Sequence, residues 1–372
     1  MTLPSQLKKL RHLSRELAAD FGTRAARHDQ ERSLPLENYA LLREAGLYGL
    51  AVPETYGGSG HGLGGWTIAG EELAQGCGST ALSFAGHVAA TGMIMEDAGV
   101  DEEAKRRLAR QVIDEGKLIA LPDGQAGAPL LASRFPGGFR LYGKVTQATM
   151  WEAADCALLL ARPDPGSTEE ITLLVPTRGQ GITVHDVWQA LGLRAIRSQT
   201  ITLDGVIVPD QMIVARHPVG SSAWALGAGT AAALGIGVGI HQLIRRVVAG
   251  GAPTADSERR LAQMACELEA ARLALRHGAL LHSERSPSAH RQFLTARYLT
   301  CLAVSNASRS AVSACGTRSL MQQLGLERLV RDAVTAISLT PDEDQLLYQI
   351  GKMEVGGMRR PTQGEESRYA AL

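Results

Sequence analysis

At Lys117 the hydrophobic pattern of this chain changes from a helical period to short strand-like runs, and at Ser222 it changes back. That order constrains the fold more than any single composition figure. Before the first switch, Leu36, Leu41, Leu42 and Ala45 recur at helical spacing behind Pro35, with Gly46 where a C-terminal cap belongs. Residues 66–75, 80–95 and 101–115 continue as helices, the last one charged, amphipathic and ended by Gly116. Between the switches, β-rich runs at 117–121, 139–144, 156–162, 171–176, 182–187, 199–203 and 212–215 alternate with turn signals such as Gly137-Gly138, Asp164-Pro165-Gly166 and Asp204-Gly205. No helical pattern separates these runs, so the expectation is a small antiparallel barrel or sandwich without βαβ crossovers. From Ser222 to about Val355 the chain is helical again. The whole reads as α+β, mainly α. An N-terminal helical domain spans 1–116, a middle antiparallel β-barrel or sandwich 117–217, a C-terminal four-helix bundle 218–356, and a polar, patternless tail 357–372.

With 38 basic and 38 acidic residues in 372, no net field recruits nucleic acid or an anionic membrane. Cys77, Cys156, Cys266, Cys301 and Cys315 are scattered and contain no C-x-x-C pair. This is the pattern of buried thiols in a reducing compartment, and no metal site is expected. Residues 1–21 alternate in charge where a secretory signal needs an apolar run, so the expected location is cytoplasmic. Residues 224–240 are almost wholly apolar and approach the length of a membrane span. They are built from Ala and Gly, however, and glycines within a helix cost about 1 kcal/mol each relative to Ala. Close packing against neighbouring helices is the use for them, so a buried bundle or subunit-contact helix is expected.

Gly60-His61-Gly62-Leu63-Gly64-Gly65 formally matches the dinucleotide G-x-G-x-x-G. That motif works only between a strand and a helix inside a βαβ unit, and helical pattern flanks this one on both sides. The longer string Val52-Pro53-Glu54-Thr55-Tyr56-Gly57-Gly58-Ser59-Gly60, followed by Glu71-Glu72-Leu73-Ala74, resembles the N-terminal domain of acyl-CoA dehydrogenases instead. Further segments carry the same resemblance in order. Residues 120–128, Ala-Leu-Pro-Asp-Gly-Gln-Ala-Gly-Ala, stand where the family has A-L-T-E-P-x-A-G-S, the loop under the flavin ring. Gly143 to Met150 with Ala154-Asp155, then Leu191-Gly192-Leu193-Arg194 with Ser198, Thr200 and Leu203, then Leu326 to Ala333, follow at matching spacing.

The resemblance implies an FAD-dependent oxidoreductase acting on an acyl thioester, assembled as a homodimer, a tetramer or a hetero-oligomer with a homologue. It implies flavin contacts from Leu121, Pro122, Gly127, Ala128, Gln147 and Thr149. Several of these depart from the family's pattern. Pro122 replaces a threonine and offers neither hydroxyl nor N–H; Ala128 replaces a serine and Gln147 an aromatic residue, while Thr149 is kept. In the last domain Ser313 to Ser319 replaces the family's Q-x-x-G-G-x-G, so FAD is expected to be weakly bound or lost. Counting from Arg331-Asp332, the family's catalytic glutamate falls on Leu339, which cannot accept a proton.

Asp344 is the remaining candidate base, since Thr340-Pro341-Asp342-Glu343 has the form of a helix cap with acids in its first turn. His87, on a small-residue helix, reads either as a pocket proton donor or as a packed core residue. Three functions fit such a chain: a dehydrogenase of acyl thioesters or a related flavin reaction, a flavin monooxygenase of the same fold, or a non-catalytic subunit.

Overall fold

The structure, a computed structural model, describes residues 4–122, 124–125, 129–163, 166, 168–339 and 342–356. The expected tail at 357–372 lies outside them. The first part is helical: α1 (Ser5–Gly22), α2 (Ala25–Glu31), α3 (Leu36–Glu44), α4 (Gly62–Gly76), α5 (Gly78–Glu96) and α6 (Glu102–Ile113). In α6, Ala104, Leu108 and Val112 face inward at helical spacing, and Asp101 starts the helix by accepting from the Ala104 N–H at 2.7 Å. α4 and α5 are buried almost all round, which is why their sequences are apolar on every face. A 3-10 turn at Glu54–Tyr56 precedes α4, which begins inside the glycine-rich string at Gly62. No strand leads into that string, and it is a helix entrance.

Nine strands follow in one sheet: β1 (Ile119–Ala120), β2 (Gly124–Gln125), β3 (Leu130–Phe135), β4 (Gly138–Ala148), β5 (Cys156–Arg162), β6 (Ile171–Pro176), β7 (Ile182–His185), β8 (Gln199–Pro209) and β9 (Ile213–Ala215). The order is β7-β8-β4-β3-β5-β6-β9, with β1 beside β5 and β2 beside β4. Most pairs are antiparallel, as the sequence suggests, but β5 runs parallel to both β1 and β3. The sheet is therefore mixed. The connection from β3 to β5 passes through β4 and a turn segment, so the parallel pair forms without a crossover helix.

The remaining helices are α7 (Ser222–Ala249), α8 (Ala255–Ser283), α9 (Ala289–Cys315), α10 (Leu326–Ser338) and α11 (Glu343–Gly356). α7 is the axis of the molecule, packed on α4 and α5 on one side and on α8, α9 and α10 on the other. Among the described residues it supplies the stretch long and apolar enough to cross a membrane, Ala223–Ala249, and 83% of its most apolar window is buried within the protein. A glycine is required at 235, where a Cβ would stand 2.3 Å from the Glu71 carbonyl oxygen of α4. Across the same seam, Trp66 of α4 donates its indole N–H to the Ala228 carbonyl of α7 at 3.0 Å.

Candidate active site

A cavity of about 170 Å³ lies where the end of β4 and the start of β8 meet α5, α7, α9 and the end of α10. Leu121, Gln147, Thr149, Trp188, Ile196 and Ser198 form its β-side wall. Leu82, Ser83, Ala85, Gly86 and Ala89 come from α5, and residues 225, 226 and 228–230 from α7. Arg297 of α9, Ala336 of α10 and Leu339 complete it.

The polar edge of the β-side wall is made by a local distortion of β4. Pairing with β8 shifts register once between Leu141 and Tyr142, runs regularly from Tyr142–Asp204 to Val145–Ile201 and resumes at Ala148–Gln199, leaving a bulge that contains Gln147. Gln147 has φ of 52°, a left-handed conformation unusual outside glycine, and such bulges turn side chains toward sites. Thr149 follows, its N–H bonded to the Gln147 carbonyl at 2.9 Å and its hydroxyl donating to Ser198 Oγ at 3.1 Å. Three of the six residues expected to face a flavin, Leu121, Gln147 and Thr149, thus meet in one wall. Pro122 is next in the chain but does not line the cavity, and Gly127 and Ala128 lie outside the described residues.

The loop bearing Trp188 and Ile196 is braced against α10. The N–H of Leu193 donates to Asp332 at 2.6 Å, the N–H of Gly192 to the Thr335 hydroxyl at 3.0 Å, and Trp188 donates its indole N–H to the Leu193 carbonyl at 3.0 Å. Arg331 reaches Asp29 of α2 at 2.7 Å and the Leu191 carbonyl at 3.1 Å. Asp332 is 2% exposed, and burial pushes its pKa upward despite the neighbouring Arg328.

Leu339 caps α10 and lines the cavity, in the place where the resemblance implies a base. Asp344 is exposed in the first turn of α11 and does not line the cavity. The N-cap of α11 is Asp342: its carboxylate accepts from the Gln345 N–H at 2.9 Å, and Gln345 returns a bond to the Asp342 N–H at 3.3 Å. The reciprocal cap thus uses Asp342 and Gln345, two residues later than the Thr340–Glu343 pairing read from sequence; Thr340 and Pro341 lie outside the described residues. His87 is fully buried, accepting the Ile119 N–H on Nδ1 at 3.0 Å and donating from Nε2 to the Tyr48 carbonyl at 3.1 Å. Burial pushes its pKa down to about 4, so it is a neutral clasp between α5, β1 and the Tyr48 turn. It does not line the cavity.

Sequence reading missed Trp188, Ile196, Thr230 and Arg297 as cavity residues. Arg297 carried a signal: with Phe293, Thr300, Cys301 and Val304 it falls on the buried stripe of α9, where a cation is out of place.

Two family models match the chain, the acyl-CoA dehydrogenase N-terminal domain over residues 4–115 and its C-terminal domain over 214–337. The chain belongs to the acyl-CoA dehydrogenase superfamily. Over 358 residues it is 25% identical to YdbM of Bacillus subtilis (strain 168), a protein named for the same family, covering 90% of this chain and 93% of that one. Its fold superposes with a TM-score of 0.84 on TdsC of Paenibacillus sp. A11-2 in complex with FMN and indole, at 21% identity and over 95% and 98% of the two chains. A glutaryl-coenzyme A dehydrogenase in complex with glutaryl-CoA gives the same TM-score and identity, over 96% of each chain. Dehydrogenases and a monooxygenase therefore share this superfamily fold.

The residues present suit a flavin ring. Apolar walls from Leu121, Ile196 and α5 enclose a slot, and Gln147, Thr149 and Ser198 give one edge an amide and a hydroxyl pair.

Proposed function

We propose that this chain is a flavin-dependent oxidoreductase of the oxygen-transferring kind, working on its substrate without a carboxylate base. The observation that carries this reading is the make-up of the cavity wall: among the described lining residues there is no aspartate or glutamate, and Leu339 stands where a base is implied. A proton α to a thioester carbonyl is too weakly acidic to leave without a positioned base, so acyl-CoA dehydrogenation is poorly served here. Oxygen transfer needs no such group. A reduced flavin held there, as FAD or FMN, would supply the two electrons by which O2 could give one oxygen atom to the substrate and the other to water. The chain's own part is to hold and shield. Gln147, Thr149 and Ser198 offer hydrogen bonds along one edge; Leu82, Leu121, Ile196 and Leu226 exclude bulk water from the reacting faces.

A second reading, the non-catalytic subunit of a mixed oligomer, requires only a packing surface, and the chain has one. Leu302, Val312, Leu320, Met321, Leu347 and Tyr348 are large apolar side chains left exposed on the C-terminal helices and their connections.

The experiment is a spectroscopic titration of the purified full-length chain with FAD and FMN, followed by butyryl-CoA and octanoyl-CoA without oxygen. The oxygen-transfer reading expects flavin binding and no bleaching. Rapid bleaching would show a dehydrogenase and overturn it. A chain that binds neither flavin at 100-fold excess would overturn the oxygen-transfer reading and leave the non-catalytic subunit.

A further inference from the structure

Arg297 places an unbalanced charge in the cavity wall. It is 5% exposed, and no carboxylate among the described residues lies within ion-pair distance. Its Nη2 donates to the carbonyls of Ala336 and Leu339 at 2.9 and 3.2 Å, the free carbonyls at the end of α10. Both of these bonds come from the one nitrogen. Partial charges at a helix C-terminus offset only part of the cost of taking a guanidinium out of water, and burial accordingly presses its pKa below the ordinary value. Arg297 is also the one charged side chain among the described residues lining the cavity.

Thr230 supplies a second, independent sign. It is 1% exposed, lines the same cavity, and its hydroxyl has no hydrogen-bond partner. A helical threonine ordinarily returns its hydroxyl to a carbonyl one turn back; this one is left unpaired. Beside it, Gly229 opens on empty space. A buried cation and an idle hydroxyl lining one cavity, with open space at Gly229, describe a place for a planar acceptor of negative charge.

We propose that Arg297 and Thr230 form a subsite for a carboxylate carried by the substrate, so that the enzyme takes an organic acid and holds it by its acidic end. The α7–α9 wall grips the carboxylate and leaves the apolar remainder of the molecule against Leu226 and the α5 side chains. The proposal rests on the reading above only in taking this cavity as the substrate's place.

The test uses the full-length chain, flavin-free and flavin-loaded, titrated calorimetrically with benzoate and with benzamide, which match in shape and differ in charge. Benzoate is expected to bind at least about tenfold more tightly, the scale of one charge-assisted hydrogen bond. Thr230→Val should weaken benzoate about tenfold and benzamide less, since a bond to a carboxylate is the stronger of the two. Arg297→Lys should keep part of the preference and Arg297→Gln abolish it, while Gly229→Leu should exclude both ligands. Because Arg297 also caps α10, Thr230→Val is the variant that decides if Arg297→Gln fails to fold. Equal binding of benzoate and benzamide overturns the proposal, as does benzoate binding that Thr230→Val and Arg297→Lys leave unmoved. If Arg297→Gln removes FMN binding while benzoate never binds, the cation serves the cofactor and the proposal falls. Benzoate preference in a chain that bleaches with acyl-CoA would sink the oxygen-transfer reading and leave this subsite standing.

Discussion

The backbone N–H of Leu193 donates to the carboxylate of Asp332 at 2.6 Å, joining segments 139 residues apart. Both belong to stretches that the sequence singles out, Leu191 to Arg194 and Leu326 to Ala333, and the contact explains why both occur. One positions Trp188 and Ile196, the other sets the direction of α10 and so places Leu339. With the Gly192–Thr335 and Arg331–Leu191 bonds, it braces the two walls of the cavity against each other.

At Gly192 an added Cβ would lie 2.1 Å from the Arg331 carbonyl oxygen. Gly192→Ala must therefore push the loop off α10, at about 1–3 kcal/mol or more for such overpacking. Asp332→Ala leaves the buried Leu193 N–H without its partner and should cost about 1–3 kcal/mol. Urea melts of both variants measure this, and flavin affinity should fall with each. A Gly192→Ala protein as stable as wild type would mean that loop and α10 are not in contact.

Thr230→Val is expected to stabilise the ligand-free chain. The hydroxyl is buried without a partner, and removing such a group recovers about 1 kcal/mol or more while the shape is kept. A thermal or urea melt without ligand checks the sign. A loss of stability would show that the hydroxyl has a partner in solution.

His87 makes stability depend on mild acid. Its folded pKa, about 4, lies below the ordinary value of 6.5, so between these the unfolded chain binds a proton that the folded chain does not. Stability is then full above pH 6.5 and falls as pH drops toward 4. From pH 7 to pH 5 the loss from this group is about 2 kcal/mol. His87→Gln should be less stable at pH 7 but lack this share of the acid sensitivity, a comparison that equilibrium unfolding at the two pH values reads directly.

Leu339→Glu asks whether the base position lies over a working cofactor site. Positioned bases contribute about 10²–10⁴-fold in rate. With flavin bound, the variant should gain measurable exchange of the α-protons of butyryl-CoA, followed by NMR in deuterated buffer. Asp344→Asn, on the exposed turn of α11, should change nothing in the same assay.

The strands at 156–162 and 171–176 were legible because continuous apolar runs stand between turn residues, and they occur at those positions as β5 and β6. β3 was not: Leu130-Leu131-Ala132-Ser133 is poor in β-branched residues, and only pairing with β4 and β5 makes it a strand. The antiparallel expectation likewise lacked the parallel neighbours of β5, because pairing partners are set by how the sheet closes and leave no mark on local pattern. At the site, Gln147 and Thr149 could be named from a motif, but the bulge that turns Gln147 could not.

By itself the sequence determined the order of helix, strand and helix, the burial of the Ala- and Gly-rich helix α7, and the leucine at position 339. Those are properties of period and residue chemistry, and they are local. Only the tertiary structure decided that Arg297 and Thr230 share a cavity with Leu339 and that Asp344 stays outside it. It also decided that His87 is occupied by two backbone bonds. The reason is physical: whether a buried polar group has a partner depends on atoms brought together from distant segments, and a cation on an apolar stripe is explained only by what faces it.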